Sequence, residues 1–163
     1  LILRDSHHAF VEKNESSIIR FSRFLAAKIK QMRMEQFAFV AMPFSPLYEE
    51  LYNKHIKPGI EKAGLKCVRI DELAHNRSIP EVIFEYVDKS KVVVFLAEGT
   101  NPNAYYEAGF ADAMKKEVIV IAKAFDDLPF DIRNRSAIAY GKCVLRTALA
   151  DRIGGIRDRR LLI

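Results

Sequence analysis

Hydrophobic positions fall into short runs and helical stripes that alternate along the chain. Ile18, Phe21, Leu25, Ile29 and Met32 recur at helical spacing after Asn14, a good capping residue, so residues 15–33 read as an amphipathic helix. Gln36–Met42 (QFAFVAM) is an apolar run of strand formers closed by Pro43, which predicts a buried strand. Ser45-Pro46 then opens a helix with Glu49 and Glu50 near its positive end, and Tyr48, Leu51, Tyr52, Ile56 and Ile60 form its buried face. Pro58 predicts a kink in that helix and Gly64 its end. Leu65–Ile70 (LKCVRI) reads as a second strand. Ser78-Ile-Pro-Glu81 has the form of a capping box and opens a helix to about Lys89, with Ile79, Val82, Ile83, Tyr86 and Val87 facing inward.

Lys91–Leu96 (KVVVFL) is apolar on both faces, as a strand in a parallel sheet must be. Asn101-Pro102 caps a helix to about Lys116, whose Ala104, Ala108, Gly109 and Ala111 permit close packing on the sheet. Val118–Ala122 (VIVIA) is a fourth strand and Ser136–Tyr140 a short fifth, at an edge. From about Val144 a C-terminal helix carries Leu145, Leu149 and Ile153, and Gly154-Gly155 is expected to interrupt it. This alternation predicts a three-layer α/β fold: an open, mostly parallel sheet of about five strands with helices on both faces. Residues 1–34 form an N-terminal helix or linker, 35–141 the α/β module and 142–163 a C-terminal helix. Ligands of such sheets bind beyond the carboxyl ends of the strands, which directs attention to Met42–Ser45, Asp71–Ser78, Ala97–Glu107 and Lys123–Arg133.

Composition narrows the classes. A 163-residue chain that is 50% hydrophobic and 29% charged is not a disordered tail, a repeat array, a collagen-like fibre or a disulfide mini-protein. Cys67 and Cys143 lie 76 positions apart with no ligand-spaced Cys or His, so reduced thiols are expected and no metal site. No apolar run approaches the ~18 residues of a membrane span, and the chain reads as a cytoplasmic domain. The absence of an initiator Met suggests a fragment, and the glycosylation patterns at Asn14, Asn76 and Asn134 read as chance matches. The net charge of +5 is concentrated in the flanks: residues 1–33 carry seven Lys/Arg against three acids, and 142–163 six against two. The central module is mildly acidic, which argues against a nucleic-acid partner.

No GxGxxG, P-loop or GxSxG is present, and His7, His8, His55 and His75 accompany no evident nucleophile. The dense segment is Ala97-Glu-Gly-Thr-Asn-Pro-Asn-Ala-Tyr-Tyr-Glu107-Ala-Gly, a strand end, a tight turn and a helix start. Glu107 falls in the second turn of that helix, near the positive dipole end, which favours an ionised carboxylate. Such a group in a cleft can attack an anomeric carbon or stabilise an oxocarbenium ion; the alternative is a solvated glutamate.

Several segments together resemble one family. Phe39-Val-Ala-Met-Pro-Phe44, Ile60-Glu-Lys-Ala-Gly64-Leu, Arg69-Ile-Asp71-Glu72, Asn101-Pro-Asn-Ala-Tyr-Tyr-Glu107-Ala-Gly and Pro129-Phe-Asp-Ile-Arg133 are similar to the nucleoside 2-deoxyribosyltransferase-like group. That group is related in fold to bacterial TIR domains, many of which cleave NAD in antiphage defence. The resemblance covers about residues 36–140 and implies a flavodoxin-like fold and N-glycosidic bond chemistry, with Glu107 as the catalytic glutamate. It implies that Met42, Pro43 and Phe44 line a nucleotide pocket and that Asn101 and Asn103 shape its loop or bind ribose hydroxyls. Arg69 would face a phosphate or pair with Asp71 or Glu72, and Tyr105 or Tyr106 would offer an aromatic face. No cofactor is implied, NAD being a substrate, and the partners are a nucleotide, further copies of the chain or a neighbouring sensor domain.

One departure bears on the chemistry. Relatives commonly place an Asp at the strand end where this chain has Leu96, and Glu98 would replace it only if the strand extends that far. A neutral base needs a proton donor to leave, whereas nicotinamide leaves from a pyridinium that is already charged. The expectation is therefore an N-glycosidase acting on NAD or a related nucleotide. The alternatives are a non-catalytic nucleotide-binding or assembly module and a nucleoside 2-deoxyribosyltransferase.

Overall fold

The computed structural model describes residues 19–20, 22–23, 36–73, 78–133, 137–141 and 143–159. The chain divides into two compact units, Leu1–Glu35 and Gln36–Ile163. In the first, Ile19, Arg20, Ser22 and Arg23 are helical, and the Ser22 hydroxyl donates to the Ile19 carbonyl at 2.9 Å. The stripe positions Ile18, Phe21, Leu25, Ile29 and Met32 lie outside the described residues, as do His7, His8, His75, Asn14, Asn76 and Asn134.

In the second unit the strands are β1 (Phe37–Ala41), β2 (Lys66–Arg69), β3 (Val92–Leu96), β4 (Val118–Ala122) and β5 (Ala137–Ala139). All pair in parallel in the order β2-β1-β3-β4-β5, with Phe39 opposite both Val68 and Val93, and Val120 opposite Phe95 and Ala137. This is the flavodoxin-like order. The helices are α1 (Pro46–Leu51), α2 (Lys57–Lys62), α3 (Ile79–Lys89), α4 (Pro102–Ala113), α5 (Phe130–Arg133) and α6 (Leu145–Arg159). Every residue of β3 is buried because it is central and covered on both faces.

Side chains alternate across the sheet and feed two cores. One holds Val40, Met42, Val94 and Leu96 against Tyr52, Ile56 and Ile60, and against Leu145, Leu149, Ile153 and Ile156 of α6. The other holds Phe39, Ala41, Phe95 and Ala97 against Val82 and Val87 of α3 and Ala104, Ala108 and Ala111 of α4. Gly59 lets α2 and α6 approach: a Cβ there would lie 3.0 Å from the Arg146 carbonyl and 3.3 Å from Leu149 Cδ2.

Several local expectations are refined or corrected. At Pro58 the helix is irregular in a particular way: a π turn at Tyr52–Ile56 precedes α2, and the Lys57 N–H reaches the Tyr52 carbonyl. The wider turn removes the need for a Pro58 N–H and keeps Tyr52, Ile56 and Ile60 on the core. Gly154-Gly155 does not interrupt α6, which continues to Arg159. Burial of Ile153 and Ile156 offsets the helix cost of about 1 kcal/mol per glycine. Ser78 occupies the cap position of α3 without a side-chain cap bond, so the capping box does not close. Ile79 is exposed because the buried face begins one turn later, at Val82. Helix α4 ends at Ala113, where Lys115 turns the chain with φ of 56°.

Candidate active site

Ser45 caps α1 by accepting from the Leu47 N–H, which ends the β1 exit turn. Within that turn Met42 and Pro43 are buried, whereas Phe44 stands 53% exposed. On the other side of the carboxyl edge, β3 leaves through Ala97 and Glu98 into Gly99 (φ 66°) and Thr100 (φ 46°). A non-glycine residue in the left-handed region is uncommon and marks a constrained turn. Asn101 then caps α4: its Oδ1 accepts from the N–H groups of Asn103 and Ala104 at 3.0 and 3.1 Å. This commits the Asn101 carbonyl oxygen to the loop.

The two exit turns meet at Gly99, where a Cβ would lie 2.9 Å from Tyr48 Oη of α1. Gly99→Ala is therefore expected to lower stability by about 1–2 kcal/mol, through the left-handed backbone and the collision with Tyr48. Urea denaturation would measure it, with Tyr48→Phe expected to recover part of the loss.

Glu107 lies on the face of α4 that carries Ala104, Ala108 and Ala111 into the second core, and it is only 4% exposed. Among the described residues it has no hydrogen-bond or ion-pair partner. Burial alone pushes its carboxyl up to about 7 from an ordinary 4.5. Against the helix dipole, which favours an ionised carboxylate, stands this loss of hydration, which favours the protonated form. The result is a carboxyl poised near neutrality.

Arg69 is buried at the end of β2. Its Nε and Nη2 donate to Asp71 at 2.6 and 2.7 Å, and its Nη1 pairs with Glu49 at 2.9 Å. Its guanidinium lies 4.1 Å from the centre of the Tyr52 ring, and Nη1 comes within 3.9 Å of Met42 Sδ. Burial pulls its pKa down, but the bonds to Asp71 and Glu49 outweigh that and hold it above the ordinary value. Of the two roles the sequence left open, pairing with Asp71 is the one observed. Glu72 pairs with Lys57 at 3.1 Å and accepts from Tyr52 Oη at 3.0 Å. The same Tyr52 hydroxyl lies 3.4 Å from Cys67 Sγ, and burial pushes that thiol up to about 11, which disfavours the thiolate.

Leu96 ends β3 in the first core, so Glu98 does not continue its alternation. Instead the Glu98 carboxylate accepts from the Lys123 backbone N–H at the exit of β4. Tyr105 packs edge-on to Phe95 at 4.9 Å, whereas Tyr106 is 63% exposed beside Phe84. Asn103 is exposed and contributes its backbone N–H to the cap. His55 is a surface residue.

The structure thus brings Met42, Arg69 and Asp71 into one contact network and joins Asn101 to Asn103. Glu107 shares their edge of the sheet but belongs to the opposite layer. Sequence reasoning missed Glu49 and Tyr52 as partners of Arg69, and Tyr48 as the contact of Gly99. Tyr48 carried only a core signal, Tyr52 a core position within a segment of the resemblance, and Glu49 only a helix-start signal. A separate cavity of about 140 Å³ between α4, α5 and β4 is lined by Phe95, Tyr105, Gly109, Asp112, Val120 and Ile132; of the residues singled out from the sequence, Tyr105 lines it and Glu107 does not. Among the described residues no helix is long and apolar enough to cross a membrane.

No protein-family model and no curated protein sequence matches the chain. Solved structures are similar to it, two of them as follows. A 2-desoxiribosyltransferase from Leishmania mexicana aligns with a TM-score of 0.45 and 12% identity over 55% of this chain. The Vibrio vulnificus NanR protein complexed with ManNAc-6P aligns with a TM-score of 0.46 and 11% identity over 82% of this chain. The aligned regions are 65% and 53% of those two chains.

Proposed function

We propose that this chain cleaves the N-glycosidic bond of NAD or a related nucleotide, with Glu107 as the group that meets the anomeric carbon. The observation that carries this reading is Glu107, only 4% exposed, without a hydrogen-bond or ion-pair partner among the described residues, its carboxyl pushed up to about 7 by burial. The segment around it is also the most specific part of the resemblance drawn from the sequence. As a carboxylate, Glu107 would bond to the anomeric carbon or stabilise its cation. The C–N bond breaks, its electron pair neutralises the departing pyridinium nitrogen, and water then takes the base's place. No proton donor is required for that leaving group, which suits a strand that ends in Leu96. The basic flanks would join the module to a sensor domain or to further copies.

The test incubates the protein, dilute and concentrated, with NAD, deoxynucleosides and nucleoside monophosphates, and separates products by chromatography. Nicotinamide release supports the reading. Base exchange between deoxynucleosides would instead favour a deoxyribosyltransferase. Binding without turnover would favour a non-catalytic nucleotide module, a reading that Leu96 also supports.

A pH profile adds an independent check. Only ionised Glu107 can act as nucleophile, so kcat/KM is expected to rise through about pH 7 and level off above it. A profile flat from pH 5 to 9 would remove Glu107 ionisation from the mechanism.

A further inference from the structure

We propose that Arg69 is a positioning residue that holds the two exit turns of the site and does not contact substrate; this rests on the N-glycosidase reading. All three of its guanidinium nitrogens are engaged, by Asp71, Glu49 and the Met42 sulfur, and its flat face covers the Tyr52 ring. Four segments therefore converge on one buried cation: the end of β1, helix α1, the π turn and the exit of β2. A substrate phosphate would have to displace a carboxylate from a charge that already has two.

The contacts lead outward along two branches. Glu49 fixes α1, and the adjacent Tyr48 presents its hydroxyl to Gly99, which begins the left-handed turn feeding Asn101 and α4. Met42 anchors the other branch, Pro43 and Phe44. One residue thus sets the β1 exit turn and, through Tyr48, the turn that places the helix bearing Glu107. A lysine would keep the charge but lose both the two-pronged bond to Asp71 and the stacked plane.

The chain contains no tryptophan, so Phe44→Trp supplies a single fluorescent reporter on the β1 exit. In that background Arg69→Lys is expected to lower the reporter's steady-state anisotropy while far-ultraviolet dichroism stays unchanged. Should Arg69→Lys not fold, Glu49→Gln replaces it, releasing the α1 branch from a partly exposed carboxylate. Unchanged anisotropy in the folded variant overturns the proposal. In the chain with its natural Phe44, Arg69→Lys is expected to reduce kcat/KM by about tenfold to a hundredfold, mainly in kcat, as for a reacting group held about 1 Å off. The loss should be equal for nicotinamide riboside and its 5′-monophosphate, which share the pyridinium leaving group. A loss confined to the phosphate-bearing substrate, expressed in KM, would make Arg69 a phosphate ligand and overturn the proposal. Lower thermal stability with unchanged kcat would reduce it to a structural residue. If wild-type protein turns over no substrate, the N-glycosidase reading fails by itself, and the anisotropy still decides whether Arg69 holds the turns.

Discussion

Replacing Glu107 with glutamine is expected to lower N-glycoside cleavage by about a thousandfold or more while leaving nucleotide affinity within a few-fold of wild type. Glutamine keeps the shape of the side chain but cannot carry the negative charge that meets an anomeric cation, so the loss belongs to the transition state. Equal losses of binding and turnover would instead mark Glu107 as a binding residue. The same variant has a stability signature that needs no substrate. Below about pH 4.5 the carboxyl is protonated in both the folded and unfolded chain, and burial costs it nothing special. Between there and about pH 7 the folded protein holds a proton that the unfolded chain has released, so stability falls as pH rises. Above that range the buried charge costs on the order of 3 kcal/mol, the worth of raising the carboxyl from 4.5 to about 7. Glu107→Gln should therefore raise the melting temperature at pH 8 and change it little at pH 4. A gain that is the same at both pH values would mean the carboxyl is not destabilised by burial.

Removal of the chain from Leu145 onward is expected to abolish cooperative unfolding of the α/β unit. Helix α6 supplies Leu145, Leu149, Ile153 and Ile156 to the first core, packed on α2 and the π turn. Without it the apolar face formed by Tyr52, Ile56 and Ile60 meets water. The single substitution Leu149→Ala, at a site with no exposure, should cost about 3 kcal/mol in urea titrations. Because Leu149 also lies against Gly59, the loss would loosen the α2–α6 crossing itself. A cost below about 1 kcal/mol would show that the helix is an appendage and not part of the core.

The strands were legible because burial on both faces leaves an unmistakable run of branched apolar residues, as in Val92–Leu96. Helix starts were legible at Ser45-Pro46 and Asn101-Pro102, where capping chemistry is local and both caps form. Gly154-Gly155 misled for a simple reason. A local preference worth a kilocalorie or a few is overridden when the surrounding side chains bury several residues.

The sequence by itself determined the parallel α/β architecture, since each strand and helix depends on neighbours within a few positions; it offered the carboxyl edge and Glu107 as the place to look. Only the tertiary structure decided that Glu107 is buried without a partner among the described residues, that Arg69 is consumed by Asp71 and Glu49, and that Glu98 is tied to Lys123. Charge state and hydrogen bonding depend on groups brought together from distant parts of the chain, and periodicity carries no information about which of them meet. Glu49 and Arg69 stand 20 positions apart, Glu98 and Lys123 25, and the fold alone joins them.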